Sequence, residues 1–360
     1  MKVMAIHLPA FHRIPENDKW WGEGFTEWDN VRSGRPYYSG HVQPVVPLSG
    51  YYYDLSKVAD IRTQAIQARS HGISGFIMYH YWFGNGRKIF EKPAELLRKN
   101  EDIDIEYSFC WANDSWITTW HGRDPEELLR QEYPGKKDWD AHIEYLLYFF
   151  KDNRYSKINN RPVLYFYKPN EIPDYDAMLA YWDERLKGEG FDGLYAVEYI
   201  SSKNKQLHSL SSSAVVEFEP LYTTYFDLSK FELAKRALDK FTHRIDFQDY
   251  DKLWSKILNR TRTYEGKPII RGCFSGWDNS PRKEYNSMIV RGATPEKFCR
   301  YLFELLRSNR EDVSDDYLVI NAWNEWSEGA YLEPDEANGY RYLEAVSAAL
   351  HDYDARGMNE

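Results

Sequence analysis

Apolar and aromatic residues recur along this chain in short, nearly unbroken runs, and between the runs they return at every third or fourth position. The unbroken runs read as strands and the spaced ones as amphipathic helices. Strands are predicted at residues 3–8, 73–81, 105–111, 162–167, 194–199, 214–219, 268–274 and 317–322, and helices at 56–71, 89–100, 139–151, 175–189, 253–264, 295–308 and 340–351. The connection over 201–213 carries no more than one helical turn. Runs such as Tyr317-Leu318-Val319-Ile320 lack the alternation of a half-exposed strand, so burial on both faces is expected. Strands that alternate with helices must pair in parallel, because only a crossover returns the chain to the same edge. Eight such units close into an α/β fold of the (β/α)8 TIM-barrel type; an open, doubly wound sheet is the alternative. No composition shift, linker or repeat divides the chain, so residues 1–360 are read as a single domain with long βα loops.

The barrel reading gives meaning to the loops that follow strands, since active sites of this fold lie at the C-terminal face. After the first strand come His12, Trp20, Trp21, Glu23, Trp28, Tyr37, Tyr38 and His41; after the second, His80-Tyr81-Trp82-Phe83-Gly84. The third leads into Trp111-Ala112-Asn113-Asp114-Ser115-Trp116 and on to Trp120 and His121, and the seventh into Gly276-Trp277-Asp278-Asn279. The eighth leads into Trp323-Asn324-Glu325-Trp326-Ser327-Glu328-Gly329. With 13 Trp, 29 Tyr and 18 Phe, aromatic residues make 17% of the chain, enough to line a wet cleft as well as a core. Tyr and Trp suit sugar rings, each offering a flat apolar face and a polar tip. The formal charge of −10 and the lack of a basic run argue against a nucleic-acid partner. No apolar run is long enough for a membrane span, and His7 and Pro9 interrupt the start before a signal core could form, which predicts a soluble, cytoplasmic protein. Three separated cysteines, Cys110, Cys273 and Cys299, suit a reducing compartment and form neither a disulfide framework nor a zinc cluster.

Glu325 and Glu328 are the centre of the chemistry. Three residues apart at a strand-to-helix turn, they can lie on one side with Cβ atoms about 5–6 Å apart. Retaining glycosidases hold their carboxyls roughly 5–5.5 Å apart, and inverting ones roughly 6.5–9.5 Å apart, so the spacing leans towards retention. Two close carboxyls resist ionising together. One of the two is expected to keep its proton as the acid and the other to stay ionised as the base. The alternative is structural: Glu325 pairs with an Arg and Glu328 caps a helix. His7, His12, His41, His80 and His121 show no metal-ligand spacing, so hydrogen-bonding roles are expected and no metal. The Asp102-Ile103-Asp104 pair precedes a strand and faces the wrong end of the barrel. No dinucleotide, P-loop or hydrolase-elbow motif occurs, so no organic cofactor is expected. Tyr145, Leu146, Tyr148 and Phe149 stand at helical spacing and are packing residues, whereas Trp20, Trp21, Trp111, Trp116, Trp277 and Trp326 belong to loops and could line a pocket or pack. Trp111, Asn113, His80, Tyr81, Trp277 and Asp278, each just past a barrel strand, are expected to share one cleft with Glu325.

Several blocks together resemble the WbsX proteins, also described as glycoside-hydrolase-family-99-like. They are residues 8–28, from Leu8-Pro9-Ala10-Phe11-His12 to Gly24-Phe25-Thr26-Glu27-Trp28; His80-Tyr81-Trp82-Phe83; Cys110-Trp111-Ala112-Asn113-Asp114; Gly276-Trp277-Asp278-Asn279-Ser280-Pro281-Arg282; and Asn321-Ala322-Trp323-Asn324-Glu325-Trp326-Ser327-Glu328-Gly329-Ala330-Tyr331-Leu332-Glu333-Pro334. The resemblance implies a (β/α)8 retaining hydrolase akin to endo-α-mannosidases and mannanases. In that scheme Glu325 deprotonates the sugar 2-hydroxyl to form a 1,2-anhydro sugar, and Glu328 is acid/base on the leaving oxygen. Substrate-binding residues are expected among Trp20, Trp21, Glu23, Trp28, His80, Tyr81, Trp82, Trp111, Asn113, Asp114, Trp116, Tyr167, Trp277, Asp278, Asn324, Trp326 and Glu333. The expected substrate is an oligo- or polysaccharide of a bacterial or host glycan. Two alternatives stand beside hydrolysis: a glycosyltransferase or transglycosylase in O-antigen or capsular polysaccharide assembly, and a non-catalytic glycan-binding protein.

Overall fold

The apolar runs do become strands. The computed structural model describes residues 1–118, 126–308 and 313–357. Eight strands form its centre: β1 (Lys2–His7), β2 (Gly75–Trp82), β3 (Glu106–Trp111), β4 (Arg161–Phe166), β5 (Tyr195–Ile200), β6 (Ala214–Glu217), β7 (Ile269–Phe274) and β8 (Val313–Asn321). Each pairs in parallel with the next, and β8 returns to β1 with Lys2 opposite Tyr317, while β1 meets β2 with Met4 opposite Gly75. The sheet is a closed (β/α)8 barrel, not an open one.

Side chains alternate between two buried faces. Met4, Ile6, Ile77, Cys110, Val163, Tyr165, Val197, Tyr199, Val216, Ile270 and Val319 fill the lumen. Their neighbours, such as Phe76, Phe109, Leu164, Phe166 and Ile320, pack outward against the helices. Strands buried on both faces show no polar alternation in sequence, so parity is set by the closed sheet alone.

The helices depart from expectation where local pairing intervenes. Lys92–Lys99 starts later than residue 89 because Lys88–Ile89 folds back onto Tyr81 and Trp82 as a hairpin, and Pro93 then sits in the helix's first turn. Tyr250–Leu258 lies earlier than 253–264, because the Asp249 carboxylate caps it by accepting from the Lys252 amide. Past it, Arg260 leaves the helical path for a buried cluster with Glu217, Glu219 and Asp227, at 2.7–2.8 Å. Two helices between β6 and β7, Leu221–Phe226 and Lys230–Phe241, were not expected. The 201–213 connection holds a bridge between Ser201 and Asn204 and no helix. Among the described residues no helix is long and apolar enough to cross a membrane.

Barrel closure brings β6 and β7 too close for a side chain at Gly272, where an added Cβ would stand 1.7 Å from the Glu217 carbonyl oxygen. Backbone on both sides cannot yield, so Gly272→Ala should cost about 3 kcal/mol or more, measured by denaturant unfolding. Near-wild-type stability would mean that the two strands are not closed in this register.

Candidate active site

The chain leaves β8 through a short antiparallel pair, Asn324–Glu325 with Ala330–Tyr331, spanned by one 3-10 turn, Trp326–Glu328. Gly329 closes the turn at φ 61°, and a Cβ there would come within 2.7 Å of the Asp278 amide nitrogen. That approach lets the Asp278 amide donate to the Glu328 carbonyl at 2.6 Å, joining the loops after β7 and β8. Asn324 ties the same turn to the end of β1, accepting from the Leu8 amide at 2.7 Å and donating to the Leu8 carbonyl at 3.0 Å. Glu325 and Glu328 are thereby held at the C-terminal end of the barrel by backbone on either side.

A single guanidinium organises the charge. Arg282, on the short helix Ser280–Lys283, has only 11% of its side chain exposed and donates to Glu328 Oε1 at 2.7 Å and to Glu27 Oε1 at 2.7 and 3.1 Å, with Glu325 Oε2 at 3.6 Å. Glu27, buried on the helix Glu27–Arg32, also accepts from Asn30 Nδ2 at 3.1 Å and from the Ser327 hydroxyl. Three loops thus meet on one cation. Neither Glu27 nor Arg282 was singled out from the sequence, although both lie in the quoted blocks; the signal available was that clustered buried carboxylates require a cation.

The scheme that makes Glu325 the base requires it ionised, and its surroundings oppose that. Glu325 is buried and its Oε2 makes no hydrogen bond. Burial first, and then the charge of Glu328, push its carboxyl up to about 8; Arg282 pulls the other way, and Glu27 adds a smaller push. Glu325 is therefore a carboxyl that holds its proton near neutral pH, while the half-buried Glu328 accepts from the guanidinium. A proton-holding carboxyl and a second carboxyl on one guanidinium form an acid and base pair.

The lumen parity sorts the remaining residues. Tyr81 faces inward, where the charges of Glu325, Arg282 and Glu27 act on its phenol; Tyr79 and Tyr167, half-buried, also feel Glu325. Tyr79 was missed, although it stands two residues before Tyr81 on the same face. Trp116 packs edge-on to Tyr81, and Trp20 lies against Trp116, giving a half-exposed aromatic path away from the carboxyls. Trp21 is half-buried against Phe25.

His80, Trp82 and Trp111 face the other way. His80 pairs with His142 at 2.9 Å, Trp82 stacks on His142 and donates to Asp138, and Trp111 donates to the Trp82 carbonyl beside Trp182. Their place between strand and helix corrects the expectation of a shared cleft. Asn113 is fully buried, donating to the Lys168 carbonyl and accepting from the Lys168 amide, while Asp114 takes Lys168 Nζ at 2.6 Å. Trp28 and Trp326 are buried against each other inside the loops, and Trp277 is buried too. Glu23 is 91% exposed beside Arg13, outside the mouth. Asp278 accepts from Gln43 and from His41 Nε2–H, both at 2.7 Å. Glu333 accepts from Trp326, Tyr53 and Gln64 and faces a separate cavity of about 270 Å³, with burial raising its carboxyl to about 7. His7 and His12 bond to Gln64 and to the Pro9 carbonyl. Trp120 and His121 lie outside the described residues. Among the described residues no group of His, Cys, Asp or Glu is placed to hold a metal ion.

Known proteins share this sequence and fold. The family model described as "Glycosyltransferase WbsX" matches residues 3–346. The uncharacterized protein WxcX of Xanthomonas campestris pv. campestris is 32% identical over 351 residues, covering 97% of this chain and 49% of the relative. The chain thus spans about half the length of the curated relatives it matches. Among solved structures, a GH99 endo-alpha-mannosidase from Bacteroides thetaiotaomicron in complex with bis-tris-propane is similar with a TM-score of 0.58 at 14% identity, over 99% of this chain and 98% of that one. A glycoside hydrolase-like protein reaches a TM-score of 0.61 at 15% identity, over 97% and 93%. At such identities the likeness is one of fold.

Two stability measurements follow from the charge cluster. Because the folded Glu325 binds its proton more tightly than the unfolded one, wild type should lose stability relative to Glu325→Gln as pH rises from about 4.5 to about 8. Thermal unfolding of both proteins across that range tests this, and parallel curves would contradict the burial argument. Arg282→Met leaves buried carboxylates without their cation and should cost about 3–5 kcal/mol in denaturant unfolding at neutral pH, with part of the loss recovered on acidification.

Proposed function

This chain belongs to the WbsX family, and we propose that residues 1–360 act as one carbohydrate-active catalytic domain that cleaves glycosidic bonds with retention, on an oligo- or polysaccharide. The observation that carries this reading is the sharing of Arg282 by Glu325 and Glu328 at a barrel mouth lined by Tyr79, Tyr81 and Tyr167. A carboxylate whose conjugate acid is raised by burial is a stronger base than an ordinary Glu, which suits removal of a proton from a sugar hydroxyl. Glu325 takes the 2-hydroxyl proton, the 2-oxygen attacks the anomeric carbon, and the glycosidic bond breaks as Glu328 protonates the departing oxygen. The product is a 1,2-anhydro sugar. Water then opens it, Glu328 taking the water proton and Glu325 returning its own to the 2-oxygen, so two inversions give net retention. The pair carries one proton throughout; substrate binding must leave it on Glu328, with Glu325 as the carboxylate, and the cycle returns it there.

Transfer is the second reading, favoured by the family's printed description as a glycosyltransferase. An acceptor alcohol in place of water would use the same two carboxyls. A nucleotide-sugar donor would need cations at the mouth for its diphosphate; Arg282 is engaged by three carboxylates there, and Lys168 by Asp114 and Glu171. The endo-alpha-mannosidase likeness makes α-mannosides a rational first substrate set.

An oligosaccharide digestion screen with product analysis, run beside Glu325→Gln, tests the activity. Glu328→Gln should slow substrates with poor leaving groups by about a hundredfold or more and activated aryl glycosides less, whereas Glu325→Gln should slow both alike. Above about pH 8 the pair loses its only proton, so kcat/KM should fall through that pH in wild type. Undiminished turnover in either variant would remove that residue from catalysis. Glycan binding that survives both substitutions without turnover in wild type would make the protein a lectin.

A further inference from the structure

The helix Lys230–Phe241 is turned inside out. Three of its charged residues face the protein: Glu232 takes Lys256 Nζ at 2.9 Å, and Arg236 pairs with Asp246 at 2.9 Å while lying over the Tyr225 ring. Asp239 is turned in as well, its carboxylate bridged by Lys235 at 3.2 Å. The apolar side chains face out, with Phe231 80%, Leu238 60% and Phe241 83% exposed. Placed at 100° per residue, Leu233, Ala237, Phe241, Ala234, Leu238 and Phe231 form one continuous stripe over roughly 160° of the helix. Both ends are anchored, by buried Leu228 before the helix and buried Ile245 after it, so the stripe is presented by a fixed element.

Two features select the occupant. No carboxylate stands on the outward arc, since Glu232 and Asp239 are turned inward, while Lys230 lies on it, Lys235 on its border and exposed Arg244 just beyond its end. A chain of net charge −10 thus presents a locally cationic rim around Phe and Leu, complementary to an anionic surface within a Debye length of about 10 Å. The helix also lies at the end of the barrel that carries the carboxyls. Through Arg236–Asp246 it is fixed to the strand Asp246–Asp249, which pairs with Met288–Arg291, and Val290 there donates to the Trp277 carbonyl next to Asp278.

We propose that this helix face docks the barrel mouth on an anionic lipid bilayer, with Phe231, Leu238 and Phe241 entering the interface and the basic rim at the head groups. Docking stands without the chemistry proposed above; its consequence, that saccharides presented at a lipid surface are the substrates, rests on that reading.

Sedimentation of the full chain with vesicles of equimolar phosphatidylglycerol and phosphatidylethanolamine tests the proposal. Wild type should bind, at least about tenfold more tightly than to phosphatidylcholine vesicles, with added salt weakening the difference. The triple variant Phe231→Ser, Leu238→Ser, Phe241→Ser should bind at least about tenfold more weakly. Its circular dichroism and its turnover of soluble oligosaccharide should match wild type, which separates a docking failure from a failure of the catalytic reading. Absence of wild-type binding, or equal binding by the triple variant, overturns the proposal. So does a wild-type dimer that the triple variant dissociates, because a second copy would then cover the stripe.

Discussion

The largely buried guanidinium of Arg282 is the interaction on which the mouth of this barrel depends. It comes from the loop after β7, and its partners Glu27 and Glu325 with Glu328 come from the loops after β1 and β8. A largely buried cation in the company of three carboxylates has little water to fall back on, so loss of a partner leaves charge poorly compensated. The Asp278-to-Glu328 backbone bond and the Asn324 clamp on Leu8 fix the same three loops by uncharged contacts. Charge therefore sets which groups meet, and backbone hydrogen bonds set where.

Around that cluster the aromatic residues divide by strand parity into two jobs. His80, Trp82 and Trp111 with His142 and Trp182 fasten strands to helices, in a layer that no substrate reaches. Tyr79, Tyr81 and Tyr167 project into the lumen mouth, and the charges of the carboxyl pair are felt there. The same residue types, often adjacent in sequence, are thus scaffold on one face and pocket on the other. That division lets the barrel keep a rigid wall directly behind a polar site.

Burial of Glu325 has an energetic cost that the fold carries elsewhere. Its carboxyl is held away from water and close to two other carboxylates, an arrangement a protein selected for stability alone would avoid. The compensation lies in the apolar packing beneath it, where Met4, Ile6, Tyr165, Tyr199 and Val319 fill the lumen. A carboxyl raised by burial at the barrel mouth is what that compensation makes possible.

The sequence by itself determined the alternation of buried strands and helices and the place of the Glu325–Glu328 turn after the last strand. Eight apolar runs separated by helical spacing pointed to a parallel barrel with an open sheet as the alternative, and Glu325 and Glu328 stood out because they follow the last strand. Hydrophobic period reports which segments are buried, and chain order reports which end of a strand a loop leaves. Neither reports the face on which a doubly buried strand presents each side chain, so His80 and Trp111 were legible as strand-end residues but not as outward ones. The role of Arg282 was equally hidden: a cation more than forty residues from Glu325 and far from Glu27 becomes their partner only when three loops converge. The raised carboxyl of Glu325 depended on its burial, which is a property of the packed mouth. The outward stripe of Lys230–Phe241 reads in sequence like any amphipathic helix, and only the tertiary structure, by pairing its charged face to Lys256 and Asp246, decided that the apolar face would meet solvent.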